Sequence, residues 1–114
     1  RPFSVQEALW KSYPNPNYLS NPKQGSIHNR GGAVDITLVD INDNELDMGT
    51  PFDYFGKEAH RTFKGHTPEV LKNREILTKT MIKNGFWTIR TEWWHFNHGA
   101  TSRNKIENFK WSCD

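Results

Sequence analysis

Four residues of this chain have the chemistry and the spacing to act together: His28, Asp35, Glu92 and His95. His28 and Asp35 stand seven apart in "HNRGGAVD", and Glu92 and His95 stand three apart in "EWWH". Two neutral imidazoles and one carboxylate are a ligand set for catalytic zinc, which takes three protein ligands and leaves a fourth position for water. Water held there loses a proton near neutral pH. A further carboxylate off the metal can take that proton, and Glu92 is the candidate general base. Two His and a carboxylate also make the facial triad of non-haem Fe(II) oxygenases. Such a site has no need of a neighbouring base like Glu92.

Taken singly, each of these residues is ordinary. His60, His66 and His98 show that the chain has histidines to spare. What carries weight is the conjunction, and the position of Asp35. It sits in a period-2 run, on the face shared with Ala33, Thr37 and Val39 and opposite Val34, Ile36 and Leu38. An ionised carboxylate flanked by apolar residues is costly unless it is paired or binds a metal. Gly31 and Gly32 let the preceding chain turn tightly enough to bring His28 back towards Asp35. Glu92 and His95 raise a difficulty, because residues three apart in a regular strand face opposite ways. For both to serve one site the strand must be twisted, bulged or ended between them.

The elements around these residues are legible. Ser4–Tyr13 reads as a helix, with Ser4-Val5-Gln6-Glu7 as a capping box and Pro14 and Pro16 as the stop. Residues 15–23 are polar and proline-rich, a loop. Asp43-Asn44 marks a turn, with Glu45–Met48 as the return strand of a hairpin. Residues 49–66 read as a long loop, of the kind that tends to carry function. Thr67-Pro68-Glu69 opens a second helix whose apolar stripe is Val70, Leu77 and Met81, joined by Leu71 and Ile82 and closed by Gly85. Phe86–Asn97, "FWTIRTEWWHFN", reads as an aromatic strand. The fold class is α+β: a small antiparallel sheet with helices packed on one face.

The chain has 114 residues, enough for a single domain with a real core. Apolar residues are 34%, but aromatics are 13%, unlike a disordered chain. Net charge is +2 with the signs interspersed, which implies no nucleic-acid partner. The mildly basic stretch Arg103–Lys110 reads as a solvated tail, and residues 98–114 carry no assigned function. The single cysteine, Cys113, excludes an internal disulfide. No apolar run reaches the roughly 18 residues of a membrane span. The chain begins at Arg1-Pro2, and an N-terminal part is expected to precede it.

"SIHNRGGAVD", Ser26–Asp35, fits SxHxxGxAxD and resembles the first motif of the zinc D-alanyl-D-alanine dipeptidases, the VanX-like enzymes. Relatives of that family include zinc D-Ala-D-Ala carboxypeptidases and the hedgehog signalling domain. "EWWHF", Glu92–Phe96, resembles their second motif; "MGTPFDYF", Met48–Phe55, is similar to the segment between; Arg1-Pro2 looks like the end of a "YRP" element. The resemblance implies one zinc ion held by His28, Asp35 and His95, with Glu92 as catalytic base. It also implies Arg1 at the oxyanion, Ser26 near the substrate carboxylate and Asp53 at the substrate's free amino group. The implied reaction is hydrolysis of the D-Ala-D-Ala dipeptide, in the bacterial cytoplasm or periplasm. It would serve either recycling of wall-derived dipeptide or depletion of the precursor that vancomycin recognises. A carboxypeptidase or endopeptidase acting on longer wall peptides, and a non-catalytic zinc-stabilised binding module, are the alternatives.

Overall fold

The glycine pair forms a tight turn, and of the alternating run after it only Ala33–Asp35 is strand, with an isolated bridge at Val39. The computed structural model describes residues 1–109; Lys110 and Cys113 lie outside the described residues. The chain is α+β, with two α-helices, α1 (Phe3–Ser12) and α2 (Pro68–Lys83). Three strands, β1 (Ala33–Asp35), β2 (Trp87–Thr88) and β3 (His95–Asn97), form a sheet in the order β1-β3-β2. Among the described residues no helix is long and apolar enough to cross a membrane. Two units are distinguishable: Arg1–Val34 with His98–Asp114, and Asp35–Asn97.

In the first unit, α1 starts one residue before the expected helix and is not closed by a capping box. Its N-cap is Pro2, with no side-chain cap bond, and Ser4 lies inside the helix. The backbone N–H of Ser4 and its hydroxyl both donate to Asn108 Oδ1, at 3.2 and 3.3 Å. An orphan donor of the first turn is thus satisfied from 104 residues away, which no local pattern encodes. The buried Gln6 donates to the Ser20 carbonyl at 2.8 Å and accepts from Arg1 at 3.2 Å. Tyr13, just before Pro14, ends the helix as a pre-proline residue should.

The glycine pair serves two separate ends. Gly31 closes the 3-10 turn His28–Arg30 with φ of +71°, where a side chain is strained. Gly32 is a matter of space, because a Cβ there would run into the Thr101 hydroxyl and Ile27. The tail is exposed, as expected, but it is stitched to this turn. Glu107 N–H donates to the Asn29 carbonyl at 2.8 Å, and Asn104 Nδ2 donates to the Arg30 carbonyl at 3.1 Å.

In the second unit, the hairpin after β1 is shorter than the sequence suggests. Asp40 N–H donates to Asn44 O, Leu46 N–H donates to Leu38 O, and a single bridge joins Val39 to Glu45. Glu45–Met48 therefore makes one bridge and no full strand. The Asp40 carboxylate accepts from the N–H groups of Asn42 and Asn44, which builds the turn locally. Helix α2 matches its signals: Thr67 accepts from Val70 N–H, and Pro68 takes the first helical position. The N–H groups of Gly85 and Phe86 donate back to Ile82 and Met81, a Schellman closure. Val70, Leu77 and Met81 are buried, but Ile82 is 54% exposed and does not join the stripe. The core comprises Met48, Ala59, Leu77, Met81, Trp93, Trp94 and Phe96, with Leu38 and Phe86 against it.

Phe86–Asn97 is not one strand. It holds β2 and β3, antiparallel to each other, with Trp87 opposite Asn97 and Thr88 opposite Phe96. Its middle leaves the ladder because Arg61 supplies the donors. Arg61 Nε donates to Ile89 O at 3.0 Å, Nη2 to His95 O at 3.0 Å, and the Arg61 backbone N–H to Arg90 O at 3.0 Å. Nη1 donates to Thr78 Oγ1, and the guanidinium lies 4.5 Å from the Phe96 ring centre. Those carbonyls would otherwise be unsatisfied in a partly buried setting. Arg61→Ala should lower stability by about 2–4 kcal/mol, since each orphaned acceptor costs about 1–3 kcal/mol. Arg61→Lys should restore less than half, because an ammonium cannot span several acceptors at once. Urea unfolding checks both, and an alanine variant within about 0.5 kcal/mol of the parent would refute the assignment.

Candidate metal centre

Asp35 is the last residue of β1 and His95 the first of β3. Ile36 N–H donates to Trp94 O at 3.0 Å, and in an antiparallel ladder the next pair outward is Asp35 with His95. That pair lies between ladder bonds, where opposed side chains come closest, with Cα atoms about 4.5 Å apart. The contact follows directly: His95 Nδ1 is 3.1 Å from Asp35 Oδ1. Glu92 precedes β3, so it is not bound by strand alternation, and its Oε2 comes within 3.8 Å of the same Nδ1. The strand is ended between Glu92 and His95, one of the three ways the two can share a site.

All three side chains are about nine-tenths buried. Burial alone pushes the His95 imidazole pKa down. The hydrogen bonds with Asp35 and Asn97, and the Asp35 and Glu92 carboxylates beside it, push it up, and the upward effects win. The ring's other nitrogen, Nε2, is 2.8 Å from Asn97 Oδ1.

His28 opens the 3-10 turn, and its Nδ1 is 3.2 Å from the Ala33 carbonyl. A carbonyl can only accept, so Nδ1 carries the hydrogen and Nε2 keeps its lone pair. His28 offers a ligand nitrogen in the first unit, and Asp35 and His95 offer ligand atoms beside one another in the second. His66 Nε2 is instead 2.8 Å from the Glu58 carbonyl, and His60 Nδ1 is 3.4 Å from Arg90.

The remaining expected residues are placed as follows. Arg1 and His28 line one cavity of about 850 Å³ in the first unit. Ser26 is buried, and its hydroxyl donates to Asn29 Oδ1 at 3.2 Å. Asn29 in turn donates to the Arg1 carbonyl at 2.7 Å. Asp53 is half-buried with φ of +57°, a left-handed conformation that aspartate tolerates better than most residues. Met48–Phe52, just before it, line a second cavity of about 700 Å³ together with Asp35, Trp93 and Trp94.

Three residues that structure brings forward were not singled out from sequence. Asn29 joins Ser26, Arg1 and the tail, Arg61 holds the segment carrying Glu92, and Asn97 meets His95. Only Asn97 had a usable signal: two positions after His95, it must share that residue's face of the strand.

Comparison with known proteins agrees with this picture. A peptidase M15 family profile, described as D-ala-D-ala dipeptidase, matches residues 1–111. A D-alanyl-D-alanine dipeptidase of Escherichia coli K12 is 41% identical over 113 residues, covering 99% of this chain and 58% of that protein. Dipeptidases of the same description from Enterococcus faecalis and Enterococcus faecium are 37% and 33% identical over 75% and 74% of this chain. The chain spans about half the length of these curated relatives: 58%, 46% and 45%. By the extent of the family match and the identity to these relatives, the chain belongs to the D-Ala-D-Ala dipeptidase family of M15 peptidases.

Proposed function

We propose that the chain carries the zinc-dependent hydrolysis of the D-Ala-D-Ala dipeptide. The observation that supports this most is the buried pair of carboxylates, Asp35 and Glu92, facing one imidazole nitrogen of His95. Two buried anions around one ring are unstable without positive charge. The donor set fits zinc, since two imidazole nitrogens and one carboxylate oxygen are the ligands such sites use. His28, Asp35 and His95 would hold one ion. When bound, zinc supplies Lewis acidity toward the scissile carbonyl and makes water acidic near neutral pH.

The chain's own residues supply the rest. Glu92 takes the proton of the attacking water as the new C–O bond forms. It then gives that proton to the leaving nitrogen as the C–N bond breaks, so two molecules of D-alanine result. Water-poor surroundings favour this exchange by keeping the carboxylate weakly solvated. Arg1 answers the negative charge that develops on the carbonyl oxygen, which exists only in the transition state. Asp53 receives the substrate's free ammonium, which selects a dipeptide over a longer peptide. Ser26 would stand near the substrate carboxylate. Its bond to Asn29 supports a placement role through the turn that carries His28.

Glu92→Ala should keep its zinc and lose about 100-fold or more in turnover, the usual scale for a general base. Unchanged D-Ala release from D-Ala-D-Ala would sink its assignment. His28→Ala should lose the metal in elemental analysis; full zinc occupancy would remove it from the ligand set. For Asp53→Asn, hydrolysis of free dipeptide should fall while that of N-acetyl-D-Ala-D-Ala does not. If the parent chain already cleaves the acetylated substrate equally well, a carboxypeptidase acting on longer peptides replaces this reading. Stoichiometric zinc with no D-Ala release would mark a binding module.

A further inference from the structure

We infer that Asn97 is a positioning residue that fixes the tautomer and ring orientation of His95, and so decides which nitrogen faces the two carboxylates. The inference rests on the zinc reading only for its consequence; the hydrogen bond itself stands without it. His95 and Asn97 are two apart in β3 and therefore share a face. Asn97 Oδ1 is 2.8 Å from His95 Nε2. An amide oxygen carries no hydrogen, so Nε2 must donate. Nδ1, 3.1 Å from the acceptor Asp35 Oδ1, carries the other hydrogen of the metal-free ring; once a cation takes that place on Nδ1, the hydrogen held by Asn97 is the one that stays.

Asn97 is well placed to hold this orientation. It is only 6% exposed, and its backbone pairs with Trp87 in the sheet. His95 is anchored on the same strand, with its carbonyl held by Arg61. The partner's neutrality matters. A carboxylate at position 97 would orient the ring equally well but add a third anion beside Asp35 and Glu92. An amide sets the tautomer without adding charge. Metal-binding histidines commonly have the second nitrogen held in this way, and loss of the holder weakens metal binding about 10–100-fold.

The test compares the parent chain with Asn97→Ala and Asn97→Asp. Zinc affinity is read by competition with a chromophoric chelator, and the His95 tautomer by long-range ¹H–¹⁵N NMR. In the zinc-loaded parent, Nε2 should carry the ring's one hydrogen. Asn97→Ala should weaken zinc about 10–100-fold and give mixed tautomers in the zinc-loaded chain. Asn97→Asp keeps an acceptor in the same place, and should restore the single tautomer and most of the affinity. Should the alanine variant not fold, the zinc-loaded parent and aspartate spectra still decide the matter: Nδ1–H in either overturns the inference. Parent-like affinity and a single Nε2–H tautomer in Asn97→Ala would overturn it too. A parent chain that binds no zinc would defeat the zinc reading, while an Nε2–H that exchanges with solvent more slowly in the parent than in Asn97→Ala would leave the role of Asn97 standing.

Discussion

The site depends on an electrostatic problem that this fold creates for itself. Strand register places Asp35 against His95, and the end of the connection before β3 brings Glu92 to the same nitrogen. Two carboxylates, each about nine-tenths buried, then share one imidazole. One imidazolium can balance only one of them. Desolvation of the second is repaid only by more positive charge close by. The upward shift of the His95 pKa reflects this in part: burial pushes it down, but the hydrogen bonds with Asp35 and Asn97 and the charges of Asp35 and Glu92 together outweigh it. A divalent cation would answer the same demand more fully, taking the place of the hydrogen between His95 Nδ1 and Asp35.

Holding such a cluster requires rigid backbone where little regular structure exists. The strands are two or three residues long, so the ladder alone fixes little. Two arginines take over that role in the second unit. Arg61 ties together Ile89, Arg90 and His95, the segment bearing Glu92. Arg74, on α2, donates to the carbonyls of Met48, Glu58 and His60 in the long loop. Burial lowers the pKa of each guanidinium to about 10, which still leaves both charged at neutral pH. Each also lies over an aromatic ring of the core, Phe96 and Trp93. A planar fork with several donors suits this task, because it can satisfy carbonyls that point in different directions.

This explains what could be read from the sequence. Thr67, Pro68 and Gly85 bound α2 by local chemistry, and local chemistry is visible in a one-dimensional pattern. The same holds for the left-handed turn at Gly31 and the face occupied by Asp35. Features settled by distant partners were not visible. Ser4 looks like a cap, yet its hydroxyl goes to Asn108, far along the chain. The stretch from Phe86 to Asn97 has strand composition throughout, but its middle carbonyls are claimed by Arg61. Ile82 fits the helical period but falls at the last turn, where the helix runs past the core. The site residues were legible because their types are chemically unusual in an apolar setting. Their supports, Asn29, Arg61 and Asn97, are common polar residues whose role appears only with their partners.

The supports also divide the work in a chemically sensible way. Each of the two candidate ligand histidines meets a neutral oxygen, His28 the Ala33 carbonyl and His95 the Asn97 amide. A carboxylate in either place would make the ring more basic, but it would deepen the excess of negative charge at the site. With a neutral acceptor at Nε2, the carboxylates beside the His95 ring are those of Asp35 and Glu92. Asp35 is the nearer of the two to Nδ1, at 3.1 Å, and Glu92 the farther, at 3.8 Å, so under the proposed reading Asp35 is the one placed to share a cation with the ring and Glu92 the one left to take a proton.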